Sequence, residues 1–348
     1  MRTLVTGHKG YIGSVMVPML KAAGHEVMGL DTDFYEGCTF GNSPEQDPGM
    51  KKDIRDVSRK DLEGYDGVIH LAALSNDPLG NLNPELTFEI NYHATVRLAE
   101  LAKEAGVPKF LFSSSCSNYG AAGDRMLTEE AEFNPVTPYG ESKVLAEQGL
   151  RKLADKNFSP VYLRSTTAYG VSPRLRFDIV LNNLVAWAFT TGKIYLKSDG
   201  TPWRPIVHIE DISRAFIAVL EAPREIVHDQ AFNVGITAEN YQIRDLAQIV
   251  NETVPGCRVD FAPDAGPDKR SYRVDFTKIA QMLPSFQPKW NARDGARELY
   301  EMYRKTGLVL EDFEGPRYRR IDRIQNLLAS QRLDSTLRWQ PDHSSIKA

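Results

Sequence analysis

Tyr139 and Lys143 stand four residues apart in the run TPYGESKVLAE. On a helix, residues i and i+4 share a face. That spacing brings a lysine ammonium toward a tyrosine phenol. A nearby positive charge favours phenolate and draws a pKa of about 10 toward neutrality. A phenol tuned in this way accepts and donates the proton of a sugar or alcohol hydroxyl. The same spacing also fits an amphipathic helix with a surface Tyr and Lys, so the pair alone does not define a site. Ser115, in the serine cluster SSSCSNYG (113–120), supplies a hydroxyl at the end of an apolar strand. Doubly wound sheets bind ligands at that end. A serine there also serves to satisfy backbone groups; beside Tyr139 and Lys143 the catalytic reading is the stronger one.

A second constellation sits at the N-terminus. Gly7, Gly10 and Gly13 give GxxGxxG in TGHKGYIG, between an apolar strand and a helix. Glycine lets the backbone turn tightly and approach a pyrophosphate, whose charge is favoured at a helix N-terminus. Asp31 closes the next strand, EVMGLD. A carboxylate there binds both hydroxyls of an adenosine ribose and repels a 2′-phosphate, so NAD is expected over NADP. Asp31 also fits a turn residue opening DTDFYEG.

These residues need a scaffold. Short apolar runs at Thr3–Thr6, Glu26–Asp31, Gly67–Ala73, Lys109–Ser115 and Pro160–Arg164 read as strands. Helix-period segments lie at Tyr11–Ala23, Glu85–Ala105, Pro138–Ala154, Asp178–Thr190 and Asp211–Glu221. Alternation of the two predicts an α/β fold, a Rossmann doubly wound parallel sheet covered on both faces. Pro18 falls inside the first helix, where it removes a backbone bond. The expected division is a dinucleotide-binding domain over 1–171, with 203–235 returning to it. A smaller C-terminal substrate-binding lobe takes 172–202 and 236–348, including the tail. The basic run RYRRIDR (317–323) reads as a solvated helix face.

Composition narrows the classes. A net charge of −4 gives no reason to expect nucleic acid. No run of about 20 apolar residues predicts a membrane span. MRTLVTG enters a strand without a signal-peptide pattern. Cys38, Cys116 and Cys257 are far apart, which excludes a CxxC metal or redox motif and fits a reducing cytoplasm. The histidines show no metal-ligand spacing, so no metal is expected.

TGHKGYIG, Asp31, Asp53-Ile54, HLAA (70–73), SSSCSNYG and YGESK (139–143) together resemble the extended short-chain dehydrogenase/reductase family. The branch is similar to the NAD-dependent sugar-nucleotide epimerases and dehydratases, over about residues 1–300. The resemblance implies that Gly7, Gly10, Tyr11, Ile12 and Gly13 hold the coenzyme pyrophosphate. Asp53 and Ile54 would contact adenine, and Leu71, Ala72 and Ala73 would line the coenzyme. Tyr139 and Lys143 would reach the nicotinamide ribose, and Ser115 would orient the substrate hydroxyl. Arg204, in WRPIVHIEDI, and Arg270, in DKRSYRVD, are implied ligands of a sugar-nucleotide diphosphate, with Tyr272 and Arg273 near them. Each arginine also fits a surface ion pair. Asn182 and Asn183 fall near the family's substrate-contacting asparagine. A homodimer is implied.

The departures bear on the reaction. The family's 4,6-dehydratases carry Asp-Glu directly after the Ser/Thr; here the pair is Cys116-Ser117. Cys116 reads as a buried, inert thiol or as a thiol acid/base. Pro205 stands for an Asp, Thr167 for a substrate-binding Asn and Ala94 for a Gly. The expected activity is an epimerase. A 4-ketoreductase or dehydratase using the same Ser/Tyr/Lys set is the alternative, and a silent dinucleotide-binding regulator is the reading from another class.

Overall fold

The computed structural model describes residues 1–42, 47–120, 125–266 and 271–341. Seven parallel strands form its main sheet: β1 (Arg2–Thr6), β2 (Glu26–Asp31), β3 (Gly49–Lys51), β4 (Gly67–His70), β5 (Lys109–Ser115), β6 (Ser159–Ser165) and β7 (Ala231–Val234). They lie in the order β7-β6-β5-β4-β1-β2-β3. The chain runs outward from β1 to β3, crosses back to β4, then runs outward the other way. A crevice therefore opens beyond the carboxyl ends of β1 and β4, where the order reverses. There Thr6 pairs with His70.

Burial explains why the strand runs are almost wholly apolar. β4, β6 and β7 are buried along their whole length. Side chains alternate between faces. Val5, Ile69, Leu111 and Val161 pack under the helices Gly13–Ala22 and Ile209–Glu221. Leu4, Val68, Phe110 and Tyr162 pack under Ala94–Glu104 and Pro138–Arg151. Pro18 lies exposed within the first helix, which continues past it. On the solvent side a missing backbone donor leaves its carbonyl partner to water.

A third core builds the second lobe. The helices Val180–Thr191, Ile243–Thr253 and Ala292–Thr306 surround Leu181, Val185, Leu246, Val250, Leu299 and Tyr303. Beside them Lys193–Ser198 pairs in parallel with Arg258–Gly266.

Several elements differ from the sequence reading. The segment read as helix 85–105 contains a wider π turn at Glu89–His93, between Pro84–Phe88 and Ala94–Glu104. The strand read as 67–73 stops at His70, and Leu71–Ala73 become cleft wall. Within 203–235, Trp203–His208 does not join the main sheet. It pairs with Thr167–Tyr169 and Asn240–Gln242 in a separate three-stranded sheet. The tail also differs. Ile324, Leu327, Leu333 and Leu337 are buried in the core beneath the main sheet rather than in the second lobe. Among the described residues no helix is long and apolar enough to cross a membrane, and no cluster of acidic, His or Cys side chains is placed to hold a metal.

Candidate active site

The glycine turn follows β1 directly. Gly7 adopts φ 74°, and its N–H donates to the Leu30 carbonyl at 2.8 Å. A Cβ on Gly7 would lie 2.8 Å from the Ala72 nitrogen, and one on Gly13 would lie 2.3 Å from the Gly7 carbonyl. Both positions therefore require glycine, and the turn borders an open cleft. Asp31 accepts the Lys9 N–H at 2.9 Å and the Asp33 N–H at 2.8 Å, which fixes its carboxylate at the rim. Gly7, Gly10, Tyr11, Ile12, Gly13, Asp31, Asp53, Ile54, Leu71, Ala72 and Ala73 all line this one cleft. A helix N-terminus suits a pyrophosphate and an acidic group after the second strand suits a ribose, and this cleft offers both. Two members have further duties. The Tyr11 hydroxyl donates to the Gly170 carbonyl at 2.7 Å. Asp53 is gripped by Arg55, whose Nη2 lies 2.7 Å from Oδ2.

The cleft floor is tied together by polar groups. His70 lies between Thr6 Oγ1 (2.6 Å) and Thr95 Oγ1 (2.8 Å). Burial first, then the Lys143 charge, push its imidazole down to about 3, so it stays neutral. Asn91, within the π turn, accepts the Leu74 N–H at 2.8 Å and donates to the Leu74 carbonyl and to Ser142 Oγ. One side chain thereby joins the cleft wall to the helix that carries Tyr139.

That helix, Pro138–Arg151, begins where Thr137 caps the Gly140 N–H and Pro138 presets the first turn. Ser115, Tyr139 and Lys143 meet in a second cavity that adjoins the coenzyme cleft; Ile12, Leu71, Ala73, Ser75, Ala168 and Arg176 border both. The Ser115 hydroxyl accepts from Ser117 N and Oγ at 3.1 and 2.9 Å. Lys143 Nζ donates to the Ser113 carbonyl at 2.7 Å.

The electrostatics differ from the sequence expectation. Burial raises the Tyr139 phenol, opposed by the Arg176 guanidinium and the Ser115 hydrogen bond, with Asp77 adding to the rise. Lys143 is itself lowered to about 7 by burial, against the pull of Glu147. Its Nζ stands 5.9 Å from the Tyr139 ring centre. Arg176 is thus a second cation that favours phenolate, one the spacing of Tyr139 and Lys143 did not show.

Other expected residues separate here. Arg204 and Tyr272 line the second cavity. Asn182 does not: it is fully buried, accepts the Gly170 N–H at 3.1 Å and donates to the Arg176 carbonyl at 2.9 Å. Asn183 donates to the Phe177 carbonyl. Both asparagines shape the loop that carries Arg176 instead of reaching the cavity. Arg273 stacks over Trp203 at 4.6 Å, and Arg270 lies outside the described residues. Cys116 is fully buried, its thiol donating to the Arg164 carbonyl at 3.1 Å and pushed well up by burial. It faces the core, not the cavity.

Three residues escaped the sequence reading. Arg176 is clamped by both Asp178 oxygens, at 2.9 and 2.7 Å. Its one sequence signal is position, in the loop after the strand Thr167–Tyr169. Asp77 borders the second cavity and accepts from Thr137 Oγ1 at 2.9 Å. Arg320 enters the coenzyme cleft from the tail; the basic run 317–323 is thus not a wholly solvated face.

The chain is similar to proteins of known structure and activity. The chain is 31% identical over 319 residues to a UDP-glucose 4-epimerase of Mycolicibacterium smegmatis, covering 87% of this chain and 99% of that protein. The structure of MoeE5 with UDP-glucuronic acid and NAD matches with TM-score 0.76 and 26% identity, over 88% of this chain and 100% of that one. That of DesIV, a dTDP-glucose 4,6-dehydratase from Streptomyces venezuelae with NAD bound, matches with TM-score 0.77 and 25% identity, over 90% and 100%. The model of the NAD dependent epimerase/dehydratase family matches residues 3–235. With its glycine turn, Asp31 and Tyr139 set around one crevice, this chain belongs to the NAD dependent epimerase/dehydratase family and uses NAD as its coenzyme.

Proposed function

We propose that the chain is a sugar-nucleotide epimerase with Tyr139 as its acid/base. Gly7, Gly10, Gly13 and Asp31 would hold NAD, which would supply the reversible hydride acceptor. Tyr139 takes the proton of the sugar hydroxyl and gives it back. Ser115 orients that hydroxyl, and Arg176 favours the phenolate as it forms. Lys143 holds the Ser113 carbonyl and so keeps the end of β5 in place. Arg204 and Tyr272 face the sugar-nucleotide diphosphate, with Arg270 assigned to the same handle. Arginine suits phosphate because its planar fork meets two oxygens.

The observation that carries this reading over elimination is the fate of Cys116. Loss of water across two carbons needs an acid and a base besides the tyrosine. At the place after Ser115 the thiol is turned into the core, and its neighbour Ser117 has no carboxyl. Among the described residues the cavity's one carboxylate is Asp77, which accepts from Thr137 Oγ1 at 2.9 Å, and the reaction that fits best is one using a single acid/base and a recycled coenzyme.

The test is a panel of sugar nucleotides followed by NMR, with substrate deuterated at the carbon to be oxidised. The epimerised product should keep the label at that carbon and have the substrate's mass. Cys116→Ala should retain most of the activity. A product lighter by one water, or stoichiometric conversion of bound NAD to NADH, would overturn the proposal.

A further inference from the structure

We propose that Arg320, on the C-terminal helix, is a ligand of the coenzyme diphosphate, and that the tail clasps the coenzyme-binding loop. The inference rests on the coenzyme cleft and not on which sugar reaction follows. Residues 317–339 lie nearly three hundred positions from the loop after β2, yet they grip it at both ends. Arg323 Nε donates to the Phe34 carbonyl at 3.2 Å and its Nη2 to the Glu36 carbonyl at 2.9 Å. Arg317 donates to the Thr39 carbonyl at 2.8 Å. Trp339 Nε1 donates to the Thr32 carbonyl at 2.6 Å, and its ring packs on Phe34 with centroids 6.0 Å apart. Each of these contacts holds backbone that leads away from Asp31.

Arg320 differs from its neighbours because it turns into the cleft. Its guanidinium lies over the Tyr35 ring at 4.2 Å, and Nη2 reaches the Arg174 carbonyl at a long 3.4 Å. Nearby carboxylates are already engaged: Asp178 holds both prongs of Arg176, and Asp33 takes Lys9 at 2.6 Å and Arg174 at 3.7 Å. Among the described residues, no carboxylate stands within ion-pair distance of Arg320. Arg320 is half-buried, and a guanidinium taken partly out of water without an acid partner is costly unless an anion meets it. The diphosphate is the anionic part of NAD. It binds at the glycine turn, on the wall of the same cleft as Arg320 and Arg176. The helix Arg320–Ala329 also opens at this residue, so the partial positive charge of its first turn adds to the same side.

The experiment compares ligands that share adenosine but differ in phosphate. Full-length chain, stripped of coenzyme, is titrated calorimetrically with NAD, ADP-ribose and adenosine. Arg320→Met and Arg320→Gln should weaken NAD and ADP-ribose roughly 10- to 100-fold and leave adenosine unchanged. Arg320→Lys should recover part of the loss. Melting curves without ligand serve as the folding control for all three variants. Arg323→Met, which touches only loop carbonyls, should weaken adenosine and NAD alike. NAD affinity within about twofold of native in both Arg320→Met and Arg320→Gln would overturn the proposal. So would an equal loss for adenosine, since that would make Arg320 a brace for the loop and not a ligand.

Discussion

Glu147, one helical turn beyond Lys143, holds both prongs of the buried Arg164 guanidinium, at 3.0 and 2.7 Å. The pair ties the catalytic helix to β6. The same carboxylate accepts from Ser114 Oγ and from Asn118 Nδ2, and so also fixes the end of β5. Arg164 reaches on to the Tyr119 hydroxyl and the Glu129 carbonyl. The helix face that carries Tyr139 and Lys143 is thus anchored, one turn on, by charge as well as by apolar contact. Glu147→Ala would leave a buried guanidinium without its acid, at a cost of about 3–5 kcal/mol. Chemical denaturation of the variant should show that loss. A change below about 1 kcal/mol would mean that water reaches Arg164.

Lys143 gives a pH signature. Its folded pKa of about 7 lies below the unfolded value of ~10.4. Between those values the unfolded chain binds more protons, so stability rises with pH across that window. At and below neutrality the full cost of the buried charge is present. Lys143→Met should therefore gain stability relative to the native chain at about pH 6, and the gap should narrow toward about pH 9. Paired melting curves read this directly; a pH-independent gap would contradict it. The variant should also lose turnover, since the Ser113 carbonyl loses its donor and the end of β5 its hold.

Tyr139→Phe keeps the ring and removes the phenol. Turnover should fall by roughly 10²–10⁴, the usual worth of a positioned acid/base, with NAD binding and melting temperature near native. Near-native turnover would place the proton transfer on another group, and Asp77, on the same cavity, would be the first to replace.

Arg176→Lys probes the second cation that favours phenolate. The two-pronged clamp of Asp178 needs a planar fork, which lysine lacks. The rate–pH profile should move to higher pH, because an ammonium freed from the Asp178 clamp no longer holds its charge beside the Tyr139 phenol, which burial already raises. A profile that does not move would leave the role to Lys143.

Asp31→Ala should relax the preference for NAD over NADP by removing a carboxylate that repels a 2′-phosphate. Calorimetric titration with both coenzymes is the measure. Equal affinity of the native chain for the two would show that Lys9, whose N–H is tied to Asp31, already offsets the charge.

Much of this protein was legible in its sequence because the chemistry involved is local. Gly7, Gly10 and Gly13 are spaced for one tight turn between a strand and a helix. Tyr139 and Lys143 share a helix face by periodicity alone. The continuous apolar runs of β1, β2 and β5 announce a sheet buried on both faces. Those properties depend on neighbours a few residues away. The second half of the site does not. Arg176 lines the same cavity as Tyr139 only because the loop after Thr167–Tyr169 folds over it, held by Asn182. That asparagine looked like a substrate ligand and proved to be a buried brace. The Lys143 ammonium donates to a carbonyl of β5, a partner that spacing along the helix does not reveal. Arg320 meets Tyr35 across nearly the whole chain, where a basic run had read as a solvated surface. Periodicity shows which residues share a face, but only packing decides what that face meets and how much water is left around a charge.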